Sequence, residues 1–314
     1  MTTERGLGVR GHGVDVGEHC LDLRELTVTS ADGARLHVEV YGAEDAPPVV
    51  LAHGWTCSIG FWDAQIRDLS RDFRVIAYDQ RGHGRSPASA AYSAEGLADD
   101  LEAVLAATLA PGEKAVVAGH SMGGMTIMAA AGRPGVAEHA AAVLLCSTGS
   151  SRLVAEALVV PLRAGRLRTR LTRSVLGAKA PLGPVTPVSK VFLKYATMGR
   201  GAAPDRVAAC ARIVHACPKG VRVGWSHVLA ELDIASRVRE LAVPVAVIAG
   251  TDDRLTPPKL AREIEASLRR SLGLTLLAGV GHMSPVEAPE AVSGKIRQLV
   301  TEYVVGAEQQ EEVA

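Results

Sequence analysis

The run Ala115 to Gly124, AVVAGHSMGG, sets a serine between glycines two residues away on either side, after an apolar β-type stretch and before a helical one. A serine at such a strand-to-helix junction sits on a strained turn. Gly119 and Gly123 permit the close backbone packing that side chains there would block. A serine hydroxyl is a weak nucleophile near neutral pH, so it needs a base to take its proton and a carboxylate to orient that base. Both occur downstream. Gly250-Thr251-Asp252-Asp253 puts carboxylates just past an apolar run, and Gly279-Val280-Gly281-His282 puts an imidazole on a loop before the last helical pattern. Ser121, Asp253 and His282 thus read in the order nucleophile, acid, base, a set suited to acyl transfer. Such chemistry also needs two N–H donors for a developing oxyanion. The amides of Met122, next after the serine, and of Trp55, after the apolar run Val49 to Ala52, are the candidates.

Elements must bring these loops together. Leu26 to Ser30 and Leu36 to Val40 alternate apolar with polar across Asp32-Gly33, predicting an antiparallel hairpin. After Pro47-Pro48, short strand-like runs alternate with helical patterns: Val49 to Ala52, Arg74 to Tyr78, Ala115 to Gly119, Ala142 to Cys146, Val243 to Ala249 and Leu272 to Leu277. That rhythm predicts an α/β fold, a mostly parallel eight-stranded sheet with helices on both faces, and it places the three candidate residues past strand ends on one edge. From Ser147 to about Leu241 the strand rhythm stops and Gly- and Pro-punctuated helices take over, predicting an inserted helical lid. The expected organisation is an N-terminal extension over 1–24, a core over 25–147 and 242–306, a lid over 148–241, and a frayed tail over 307–314.

Five segments in order, HGW (His53 to Trp55), YDQRGHGRS (Tyr78 to Ser86), GHSMGG (Gly119 to Gly124), AGTDD (Ala249 to Asp253) and GVGHM (Gly279 to Met283), resemble the capped α/β-hydrolase family. The resemblance runs from about Val49 to Leu299 and weakens across the lid. The family groups esterases, lipases, lactonases, carbon–carbon bond hydrolases and cofactor-free haloperoxidases. The resemblance implies that Asp253 rather than Asp252 is the acid. Some members carry the acid after the sixth strand, but Cys146 to Ser150 holds no carboxylate. Similar haloalkane dehalogenases and epoxide hydrolases use aspartate where this chain has Ser121.

Composition narrows the field. Lys plus Arg and Asp plus Glu stand at 34 each, so no overall field favours nucleic acid. The five cysteines form no metal-ligand spacing, no metal or organic cofactor is required, and a disulfide framework is not expected. The N-terminus lacks the apolar core of a secretory signal, so a cytoplasmic location is expected. Gly6 to Gly11 fits G-x-G-x-x-G but follows no strand pattern and is set aside.

Residues 157–204 contain no Asp or Glu and nine Lys or Arg. At helical spacing Arg163, Arg166, Arg170 and Arg173 share one face, with Val160, Ala164, Leu167, Leu171 and Val175 on another. The segment reads as a basic amphipathic helix with its apolar stripe on the core, or as a surface for an anionic lipid or acyl carrier. His53, Trp55, Phe192, Tyr195 and Trp225 are candidate pocket residues, as are Phe61 and Trp62, although aromatics at these spacings more often fill core and the placement of His53 favours a structural loop anchor over a proton carrier. The expected activity is cleavage of carboxylic esters of apolar acyl groups, on a small or lipid-like substrate. The alternatives are a thioesterase or lactonase on the same triad, and a ligand-sensing binding protein that keeps the fold.

Overall fold

The computed structural model describes residues 22–306. The tail 307–314, the Gly6 to Gly11 motif and most of the N-terminal extension lie outside the described residues. Eight strands form one sheet: β1 (Leu23–Thr29), β2 (Arg35–Tyr41), β3 (Pro48–Ala52), β4 (Arg74–Tyr78), β5 (Ala115–His120), β6 (Ala140–Cys146), β7 (Val245–Gly250) and β8 (Ser271–Leu277). Their spatial order is β1-β2-β4-β3-β5-β6-β7-β8. β2 pairs antiparallel with β1 and β4, and the remaining pairs are parallel.

The interior strands are apolar on both sides because helices cover both faces. Val50, Ala52 and Val117 belong to one core, with Leu97, Leu101 and Val104 of helix Ala94–Thr108. The alternate residues Val49, Leu51 and Val116 belong to the other, with Val292, Ile296 and Leu299 of helix Pro289–Val300. Strand ends differ from the sequence reading by a residue or two, most at β1, which starts three residues before Leu26. β8 is largely solvent-facing, as befits an edge.

The chain between β6 and β7 is helical: Leu153–Glu156, Arg166–Leu176, Pro187–Thr197, Pro204–Ala216 and Lys219–Glu231, then a 3-10 turn over Ala235–Glu240. One isolated bridge, Ser151 to Asp233, closes its base. The expected basic helix requires correction. It begins only at Arg166, so Val160, Arg163 and Ala164 precede it, and Leu167, Leu171 and Val175 face solvent. Arg168 and Thr172 take the buried side instead, and Arg168 donates to the Ala155 carbonyl at 2.7 Å. The inward face of this helix is thus its polar one.

Candidate active site

Ser121 links β5 to the helix Met122–Ala129 with φ 52° and ψ −115°, a conformation costly for any residue with a Cβ. The neighbours show why glycines surround it. A Cβ on Gly123 would lie 2.0 Å from the Ala52 carbonyl oxygen, and one on Gly119 would lie 2.5 Å from the Gly123 backbone. The turn is pinned from β6: Ser121 N–H donates to Cys146 O at 3.0 Å, and Thr148 Oγ1 donates to Ser121 O at 2.7 Å.

His282 and Asp253 arrive on the loops after β8 and β7. His282 Nε2 lies 3.0 Å from Ser121 Oγ, and His282 Nδ1 lies 2.9 Å from Asp253 Oδ2. All three residues are buried, Asp253 at 2% exposure. Asp253 Oδ1 accepts the N–H groups of Leu255 and Thr256, both at 2.9 Å. Thr256 Oγ1 donates to Asp253 Oδ2 at 2.9 Å and stands 3.1 Å from His282 Nδ1. Asp252 is half-buried and does not share this network; its N–H donates to Val280 O. Thr256 lay in plain view in the sequence, but a threonine near an acid carries no spacing signal of its own.

Met122 is the first residue of its helix, so the helix itself leaves its N–H without an acceptor. The loop bearing Trp55 runs against the serine turn: a Cβ on Gly54 would lie 3.1 Å from Ser121 Cβ and 2.7 Å from His120 Nδ1. This loop is held by neutral histidines. Burial pulls His53 down to about 4 and His83 to about 3. His53 Nδ1 donates to Gly54 O at 2.7 Å while its Nε2 accepts the Gln80 N–H at 3.0 Å. His83 Nε2 accepts the Thr56 N–H at 3.1 Å. His120, also driven far down by burial, donates from Nε2 to the His282 carbonyl at 2.8 Å.

The YDQRGHGRS segment follows β4 and braces the same edge. Gln80 bonds His53 O and accepts from Thr126 Oγ1, and Asp79 accepts the N–H groups of Ile59 and Arg85, both at 2.8 Å. Arg81 is buried against Asp100 with two contacts of 2.7 Å.

Above Ser121 lies a cavity of about 230 Å³, walled mainly by aliphatic side chains such as Met125, Leu153, Val159 and Leu193, with Trp55 and Phe192. His53, Tyr195 and Trp225 do not line it, which corrects the sequence reading. His53 is sealed beneath the loop it anchors. Trp225 fills the base of the lid and donates to Arg81 O at 3.3 Å, and Tyr195 carries the Arg254 guanidinium 4.8 Å above its ring. Phe61 and Trp62 pack in the core.

Glu287, five residues after His282, closes the short helix Ser284–Glu287, and no motif in the sequence marks it. Its carboxylate accepts N–H groups from Gly199 of the lid at 2.7 Å and Gly281 at 3.1 Å. Among the described residues the acidic and histidine cluster with metal-ligand reach is Glu25, His37 and Glu39 on the β1–β2 hairpin. Arg85 pairs with both carboxylates there, a cation already in place.

The model of the "Alpha/beta hydrolase family" matches residues 49–295. The chain belongs to the alpha/beta hydrolase family. Among its relatives is the "Non-heme chloroperoxidase" of Streptomyces lividans, 28% identical, with 87% of this chain and 99% of that one covered. The chain spans about half the length of another, the "Probable oxidoreductase EphD" of Mycobacterium tuberculosis (strain ATCC 25618 / H37Rv), 28% identical over 87% of this chain and 48% of that one. Among solved structures, a thermophilic esterase from Thermogutta terrifontis superposes with a TM-score of 0.72 at 22% identity, covering 90% of this chain and 99% of that one. That last likeness concerns the fold alone. No helix among the described residues is long and apolar enough to cross a membrane.

Proposed function

We propose that this hydrolase-family chain cleaves carboxylic esters of small apolar acyl groups through an acyl-enzyme on Ser121. The observation that carries the reading is Ser121 Oγ standing 3.0 Å from His282 Nε2 at the floor of an apolar cavity. In this reading the Ser121 proton passes to His282 Nε2 as Oγ attacks the ester carbonyl. Asp253, accepting from Nδ1, holds the imidazole in the tautomer whose Nε2 is free to accept and stabilises the imidazolium that forms. The amides of Trp55 and Met122 receive the oxyanion, a contribution of about 3 kcal/mol for each donor. His282 then returns its proton to the leaving alkoxide and activates water against the acyl-enzyme.

The cavity is smaller than the roughly 300–1,000 Å³ of drug-sized ligand sites, which favours a short acyl chain over a bulky one. The deciding experiment is turnover of nitrophenyl esters, thioesters and lactones of graded acyl length by the wild-type chain and by Ser121→Ala. The reading expects short-chain esters to be turned over fastest and Ser121→Ala to lose all such activity. Preference for thioesters or lactones would reassign the substrate while keeping the triad. Unchanged turnover by Ser121→Ala would overturn both.

A further inference from the structure

Twelve large apolar side chains are exposed among the described residues, and ten of them lie between 158 and 195. Helix Arg166–Leu176 shows solvent a stripe of Leu167 (65% exposed), Leu171 and Val175 at every fourth position. Helix Pro187–Thr197 shows Val188 (79%), Val191 (71%), Phe192 (56%) and Tyr195. Scattered exposed leucines are ordinary; a concentration of this kind marks an interaction surface. It also adjoins the cavity, since Val175, Leu182 and Phe192 are at once exposed and part of the wall above Ser121.

The charge of the same segment selects the partner. Residues 157–204 contain no carboxylate side chain, while Arg163, Arg166, Arg170, Arg173, Lys179 and Arg200 are exposed. Arg173 pairs with Glu231, but among the described residues Arg163, Arg166, Arg170 and Lys179 form no ion pair. Cations without partners, interleaved with outward apolar side chains on two helices and their connections, match a layer of acyl chains under anionic headgroups. A folded acidic protein would answer the cations but would need a surface shaped to two separate stripes, whereas a lipid surface conforms to them.

We infer that the lid docks on anionic lipid membranes through the exposed stripes of helices Arg166–Leu176 and Pro187–Thr197, with the cavity opening toward the bilayer. The inference stands apart from the ester reading, because its test reads binding and not turnover.

The test is co-sedimentation of the full chain with vesicles of equimolar phosphatidylglycerol and phosphatidylcholine, and with vesicles of phosphatidylcholine alone. The expected result is salt-sensitive binding to the anionic vesicles only. Two triple variants, Leu167→Ser/Val188→Ser/Val191→Ser and Arg163→Gln/Arg166→Gln/Arg170→Gln, should each weaken it by more than about tenfold. Their thermal melting should match the wild type, since all six side chains are exposed. Ser121→Ala should bind as the wild type does, which separates this result from any failure of the ester reading. No binding to anionic vesicles, or wild-type binding by either triple variant, would overturn the inference. So would self-association that the apolar variant abolishes in a chain that ignores vesicles, because a second copy would then own the face.

Discussion

The backbone carbonyl of Thr197, closing a lid helix, accepts the N–H of His282 at 2.8 Å and that of Met283 at 3.2 Å. The imidazole beside Ser121 is therefore positioned from above by the lid as well as from the side by Asp253. Lid and core are fastened again nearby, where Arg254 donates to Tyr195 O at 2.8 Å and accepts the Leu158 N–H at its own carbonyl, 2.7 Å away. Through these bonds a shift of the lid segments bears directly on the His282 backbone.

Glu287 tests this coupling without touching the cavity. It ties Gly199 of the lid to Gly281 of the histidine loop through charge-assisted hydrogen bonds. Glu287→Ala should cost about 2 kcal/mol in urea unfolding and lower kcat more than it raises KM. A variant with wild-type stability and kcat would show the tie to be idle.

Thr256 fixes Asp253 and reaches His282 Nδ1, so its hydroxyl orients the pair. Thr256→Val should reduce kcat/KM about tenfold, the worth of one buried hydrogen bond. Asp253→Asn should cost about four orders of magnitude, because an amide holds the wrong tautomer. Steady-state kinetics on one soluble ester separates the two. Equal losses would contradict the division of labour.

The neutral histidines make a pH prediction. His53 sits at about 4, His83 at about 3 and His120 far below its ordinary value, all through burial. An unfolded chain protonates these rings at about 6.5, so below that pH it holds protons the native state excludes. The stability they provide is complete above about pH 6.5 and falls as pH drops toward the folded values, by up to about 1.4 kcal/mol per histidine per pH unit. Burial raises Asp79 and Asp100, which act in the opposite direction. The urea midpoint should thus be lower at about pH 5.5 than at about pH 7.5, and His83→Asn should flatten the difference. A midpoint independent of pH in that range would contradict the buried neutral state.

Gly123→Ala should fail through geometry alone. Its Cβ would fall 2.0 Å from Ala52 O and 2.9 Å from His53 O, both backbone atoms of β3 and the following loop. A loss of about 3 kcal/mol or more is expected, read as a lower melting temperature or insoluble protein. Wild-type melting would mean that the serine turn is looser than described.

The sequence discloses most where a local pattern and a local cause coincide. The strand rhythm and the Gly-rich serine turn are of that kind, since strands buried on both faces read as short unbroken apolar runs and a forced backbone turn leaves its glycines within a few residues. Thr256, Glu287 and His120 act through contacts across the fold, and nothing in their immediate neighbours announces that. The lid helix Arg166–Leu176 departs from expectation for a related reason. Amphipathic spacing shows that Leu167, Leu171 and Val175 share a face, but it cannot say which face turns inward; the polar side, with Arg168 bonded to Ala155, does so here. Trp225 and Tyr195 show the same limit for the pocket, because an aromatic in a lid has several ways to be buried.

The central claim is that Ser121 becomes covalently acylated, and active-site labelling tests it most directly. Wild-type protein treated with a fluorophosphonate and mapped by peptide mass spectrometry should carry one adduct, on the peptide containing Ser121. Ser121→Ala should carry none and His282→Ala should label far more slowly. An adduct on another residue, or undiminished labelling of Ser121→Ala, would contradict the account.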